Sequence, residues 1–138
     1  MNHTDHTAEE QVLPGIDDCL RQMMAIRGVQ GASLIDYRTG LVIGASGAGP
    51  NGSHEATAAG AADVVQALAN GAAFAPVGQP DQLQELVVTA DNGYHLIRFV
   101  ASGFDSHIVL YTWLDPASGN LALTRRRLRS IAEELVAA

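Results

Sequence analysis

The stretch from Gln84 to Leu114 limits the possible fold more than any other part of this 138-residue chain. It reads as three strands in a meander: Glu85–Thr89, Tyr94–Val100 and Ser106–Leu114. Asp91-Asn92-Gly93 suits the first turn, because Asn and Gly tolerate the positive φ that tight hairpins need. Ser102-Gly103-Phe104-Asp105 suits the second, slightly longer loop. Side chains alternate between the two faces of a strand. In the last strand Ile108, Leu110, Thr112 and Leu114 share one face, and Val109, Tyr111 and Trp113 the other. In the middle strand Leu96 and Val100 oppose Ile97 and Phe99. Both faces are largely apolar, so neither can stay in water. The sheet is therefore expected to be a middle layer with helices on both sides.

The other elements follow from local signals. Pro14 can open a helix at its first turn. This helix is expected to run to about Ile26, with Ile16, Cys19, Leu20, Met23 and Ile26 as its apolar stripe and Gly28 after its end. Asp17 and Asp18 suit its first turn, and either can reach Arg21. Cys19 lies in the stripe and reads as core, since no base is placed to activate it. Ala32–Asp36 and Leu41–Ser46 form a hairpin across Tyr37-Arg38-Thr39-Gly40, where Gly40 can bend left-handed. Phe74–Gln82, with Pro76, Gly78 and Pro80, is an irregular connector. After the turn Asp115–Gly119, Asn120 can cap a last helix lined by Leu121, Thr124, Leu128, Ile131, Ala132 and Leu135. Residues 1–12 are polar and expected to be disordered, and residues 13–138 form one domain.

Composition and motifs exclude several function classes. The formal charge is −7, and all eight basic residues are Arg. An acidic domain does not suit general nucleic-acid binding. One cysteine leaves no internal disulfide and fits a reducing compartment. No apolar run reaches the ~20 residues of a membrane span, and no signal peptide is visible, so a cytoplasmic location is expected. Gly44, Gly47, Gly49 and Gly52 precede a helix but match neither phosphate-binding pattern; the chain has no Lys for a P-loop. They read as a flexible connector. His3 and His6 have no Cys or scaffold nearby, and His95 and His107 suit packing or hydrogen bonding within strands, although they could face each other. No catalytic residue, metal ligand or cofactor site is assigned.

The helix from His54 to Asn70 carries the most functional information. Ser53 can cap it, Glu55 complements its dipole, and Gly71 can terminate it. At about 100° per residue, Ala58, Ala61, Ala62, Val65, Leu68 and Ala69 share one face, which can sit on the sheet. A second face carries Ala56, Gly60, Val64 and Ala67. Glu55, Asp63, Gln66 and Asn70 make a thin polar arc with Ala59 between them. A helix that covers only a sheet needs one apolar stripe. Gly60 at mid-helix costs about 1 kcal/mol relative to Ala, which asks for a compensating close contact. The second face is therefore expected to pack on the same helix of a second copy. On the last helix Arg125, Arg126, Arg127 and Arg129 crowd the first half, opposing the dipole. They read as a solvated face, or as a docking patch for an acidic surface or for the acidic N-terminal segment.

The resulting order is α-β-β-α-β-β-β-α. With Val29-Gln30-Gly31-Ala32-Ser33-Leu34-Ile35-Asp36, Thr39-Gly40, the small-residue helix, the meander and the helix after Asp115, the chain resembles the Roadblock/LC7 family. It looks most like the stand-alone bacterial, MglB-like members. The resemblance spans about Ile16 to Val136. It implies an α+β fold: a five-stranded antiparallel sheet, the central helix on one face and two terminal helices on the other. It also implies a homodimer with antiparallel central helices and an edge strand near Glu85 and Val87 that continues the sheet into the second subunit. Members bind Ras-like small GTPases as regulators or scaffolds. The arc of Glu55, Asp63, Gln66 and Asn70 would be the platform, and Arg38 at the hairpin tip a catalytic finger if there is one. Two alternatives remain. One is a PAS- or profilin-like ligand sensor with a cavity lined by Tyr94, His95, Tyr111 or Trp113. The other is a metal enzyme built on His54, His95 and His107.

Overall fold

The computed structural model describes residues 15–70, 73–74, 83–100 and 107–137. The expectations for residues 1–12, Pro14, Gly71, most of the Phe74–Gln82 connector and the Ser102–Asp105 loop lie outside these. The elements are α1 (Ile16–Met24), β1 (Val29–Asp36), β2 (Leu41–Gly47), a short 3-10 turn (Pro50–Gly52), α2 (His54–Asn70), β3 (Glu85–Ala90), β4 (Gly93–Phe99), β5 (Ile108–Leu114) and α3 (Leu121–Ala137). The five strands form one antiparallel sheet in the order β2-β1-β5-β4-β3, so β2 and β3 are its edges. The fold class is α+β, with the element order expected from sequence.

The alternation of the meander sorts the core into two clusters. On one face Leu34, Leu96, Leu110 and Leu114 pack with Cys19, Leu20 and Met23 of α1 and Leu128 and Ile131 of α3. On the other face Ile35, Ile97, Phe99, Val109 and Tyr111 pack with Ala58, Ala61 and Val65 of α2. Helices thus cover both sides, as two apolar strand faces require. The expected caps form: Ser53 Oγ accepts the Ala56 N–H at 3.0 Å, and Asn120 Oδ1 accepts the Leu123 N–H at 2.9 Å.

Three local expectations are corrected. Helix α1 ends at Met24 rather than Ile26; Ala25 caps it, and Gly28 (φ 90°) lies in the turn that follows. Gly28 rests against Gly119, where a Cβ would come within 2.5 Å of the Gly119 Cα. The β3–β4 turn needs positive φ only at Gly93, which pairs with Ala90, and not at Asn92. The glycine-rich stretch is no flexible connector. Gly44 belongs to β2 beneath α1, where a Cβ would stand 3.0 Å from Ile16 Cγ2. The turn after β2 folds back over Gly31, whose added Cβ would collide with the Ala48 carbonyl. Here glycine provides close approach between backbones rather than freedom.

Candidate interaction surface

Helix α2 lies mainly on β1 and β2. Its buried face is Ala58, Ala61, Ala62 and Val65, with Leu68 and Ala69 half-buried at the flank. Ala56, Gly60, Val64 and Ala67 are exposed, and Val64 keeps 46% of its surface in solvent. A Cβ added at Gly60 would meet nothing within 4 Å. Among the described residues of one chain, therefore, nothing compensates for the mid-helix glycine.

The polar arc is less uniform than its sequence suggests. Glu55, Asp63 and Asn70 are exposed. Gln66 is half-buried, and its Nε2 donates to the Tyr37 carbonyl at 2.7 Å and to the Arg38 carbonyl at 3.4 Å. It fastens the β1–β2 turn to α2 rather than offering its amide to solvent.

At the β3 edge, register and side-chain direction separate two functions. Among the described residues no further strand pairs with β3, and Val88, Thr89 and Ala90 are exposed. Glu85 and Val87, however, point to the two-helix face, opposite α2. Val87 packs on that core. The Glu85 carboxylate accepts from Arg125 Nε at 2.7 Å and also takes Arg125 Nη2; Arg98 Nη1 lies 3.7 Å from its other oxygen. Only the backbone of these two residues is placed to meet another strand.

That ion triad also breaks up the arginine row. Arg125 is bound to Glu85, and Arg129 pairs with Glu133 at 3.8 Å. Arg126 and Arg127 remain exposed on α3. At about 100° per residue the four guanidinium groups spread around the helix rather than sharing one patch.

The three described histidines, His54, His95 and His107, have separate surroundings. His54 Nε2 donates to the Gly47 carbonyl at 3.0 Å. His95 lies between Asn92 Oδ1, 2.8 Å from its Nε2, and the Tyr111 hydroxyl, 2.7 Å from its Nδ1. His107 meets the Tyr37 ring edge-on at 5.5 Å. His95 and His107 do not pair with each other. Burial lowers the His95 pKa below its ordinary value and raises that of Tyr111. Among the described residues no cluster of three or more His, Cys, Asp or Glu could hold a metal ion.

The residues suggested for a ligand cavity do not converge. Tyr94 packs on the two-helix side, whereas Tyr111 and Trp113 pack on the α2 side. Tyr111 is 2% exposed and bonded to His95, and the Trp113 indole N–H donates to the Asn92 carbonyl at 2.8 Å. Cys19 is buried between α1 and α3. Burial, then Asp18 and Glu134, push its pKa up to about 11, which keeps it a protonated, unreactive thiol. No described helix is long and apolar enough to cross a membrane.

No family model and no curated protein matches the sequence. Solved structures do match the fold. A Roadblock/LC7 domain from Streptomyces avermitilis superposes with a TM-score of 0.67 at 17% identity, over 86% of this chain and 92% of that one. MglB from Myxococcus xanthus superposes with a TM-score of 0.67 at 18% identity, over 91% of this chain and 84% of that one. The gliding protein MglB from Thermus thermophilus does so with a TM-score of 0.67 at 20% identity, over 90% and 87%. The molecule has the Roadblock/LC7 fold in its MglB-like form.

Proposed function

We propose, with that fold as the premise, that the chain is a homodimeric docking module for a Ras-like small GTPase and performs no chemistry of its own. The observation that carries this reading is the open small-residue face of α2. Ala56, Gly60, Val64 and Ala67 are at the spacing of one helical stripe, exposed, and unmatched by any other described element of the chain. Small residues contribute little burial each but let two helix backbones approach closely. Antiparallel packing of two α2 helices would cover the stripe and compensate for Gly60. The open β3 edge gives the second contact, since an unpaired strand edge seeks another strand.

The dimer would set two copies of Glu55, Asp63 and Asn70 around one axis as a flat polar platform. The family resemblance supports a Ras-like GTPase as the partner and a regulatory or scaffold role in the cytoplasm. The experiment is Gly60→Leu, assayed for self-association and for capture of a GTPase loaded with a GTP analogue. The reading expects both to be lost together. A Gly60→Leu protein that stays dimeric and binds its partner contradicts it.

A further inference from the structure

The tip of the β1–β2 hairpin is exposed yet tied down at several points. Asp36 Oδ1 accepts the Arg38 N–H at 2.9 Å, and the Asp36 carbonyl accepts the Gly40 N–H at 2.8 Å. The Tyr37 N–H donates to the His107 carbonyl at 2.8 Å, and the Tyr37 ring meets Phe99 and His107 edge-on. Gly40, at φ 77°, closes the turn against α2, where a Cβ would lie 3.6 Å from the Ala59 Cα. Gln66 then joins both the Tyr37 and Arg38 carbonyls to α2.

The side chain carried on this fixed backbone is a cation with no acceptor among the described residues. Arg21, Arg98, Arg125 and Arg129 each face a carboxylate. The Arg38 guanidinium has no hydrogen bond or ion pair among the described residues, and it is exposed. On the helix wheel Gln66, Ala59, Asn70 and Asp63 are successive neighbours, so the tip borders the polar arc.

This inference rests on the docking reading above and deepens it. We propose that Arg38 is the cationic contact with the docked GTPase, and that Gln66 is its positioning residue. A guanidinium takes an oxyanion through two parallel N–H bonds. A backbone already held in place loses less freedom on binding, which favours a contact from this tip over one from a loose loop. The oxyanion is either a carboxylate of the partner's surface or a γ-phosphate oxygen of its bound GTP.

The test uses the full chain and each Ras-like GTPase encoded in the same genome, produced recombinantly and loaded with GDP or a non-hydrolysable GTP analogue. Arg38→Ala is expected to weaken binding about tenfold or more, with Arg38→Lys intermediate. Gln66→Met is expected to weaken binding only while Arg38 is present, a dependence that a merely structural role would not show. Loss confined to the GTP-analogue form assigns the phosphate oxygen; equal loss in both forms assigns the carboxylate. Wild-type affinity in Arg38→Ala, in both nucleotide states, overturns this inference and leaves the docking reading intact. If the unaltered protein binds none of these GTPases, the docking reading itself fails and this inference with it.

Discussion

The two faces of the sheet are covered by helices that bring different kinds of side chain. On the two-helix face Met23, Leu34, Leu96, Leu110, Leu114, Leu128 and Ile131 are all 2% exposed or less. Bulky residues from α1 and α3 meet there and close the layer. On the other face a single helix supplies Ala58, Ala61, Ala62 and one larger buried residue, Val65. The first face is a finished core; the second leaves a helix with a small-residue stripe in water. Bulk makes a fold stable on its own, whereas small residues make a surface that something else can approach.

The largest expected effect tests the finished face. Leu128→Ala should cost about 2–5 kcal/mol in chemical denaturation, and Val65→Ala on the α2 face roughly half that. Equal losses would mean that the faces are not so different. Next comes Glu85→Ala, which leaves Arg98, with a side chain 16% exposed, without its carboxylate. Removing an acceptor from a mostly buried group should cost about 1–3 kcal/mol, measured in the same way.

A change of opposite sign sharpens the comparison on the open side. Gly60→Ala should stabilise the isolated chain by about 0.5–1 kcal/mol, because it removes a helix glycine and its Cβ touches nothing. A loss, measured in dilute solution, would mean that the stripe is already covered. The smallest effect is a pH dependence on the same face. His95 holds its proton less well folded than unfolded. The unfolded chain then binds the extra proton, so stability falls as pH drops through the ordinary histidine value of 6.5. His95→Gln should flatten that part of the stability–pH curve.

Much of the fold was legible because its signals are local and periodic. The alternation in β4 and β5 sorted the core into two faces, and Ser53 and Asn120 cap the helices that their positions foretold. The span of α2 could be read from its N-cap and its period. The interaction surface was legible only in outline. Sequence spacing put Gln66 in the polar arc, but its bonds to the β1–β2 turn join residues 29 and 28 positions apart, beyond any local pattern. The arginine row looked like a patch for the same reason: Glu85, which binds Arg125, lies 40 residues away. Side-chain direction on β3 depends on register with β4, so Glu85 and Val87 could be assigned to an edge but not to a face. The glycines before α2 suggested looseness because composition cannot show which backbone comes to rest against them.

The central claim is that the exposed stripe of α2 is covered by a second copy. The most direct test is the mass of the purified protein by sedimentation equilibrium at micromolar to high concentration. The account predicts twice the 14.5 kDa of the chain for the natural sequence, falling to a single chain for Gly60→Leu. A natural protein that remains one chain at the highest concentration, with the stripe in solvent, would contradict it.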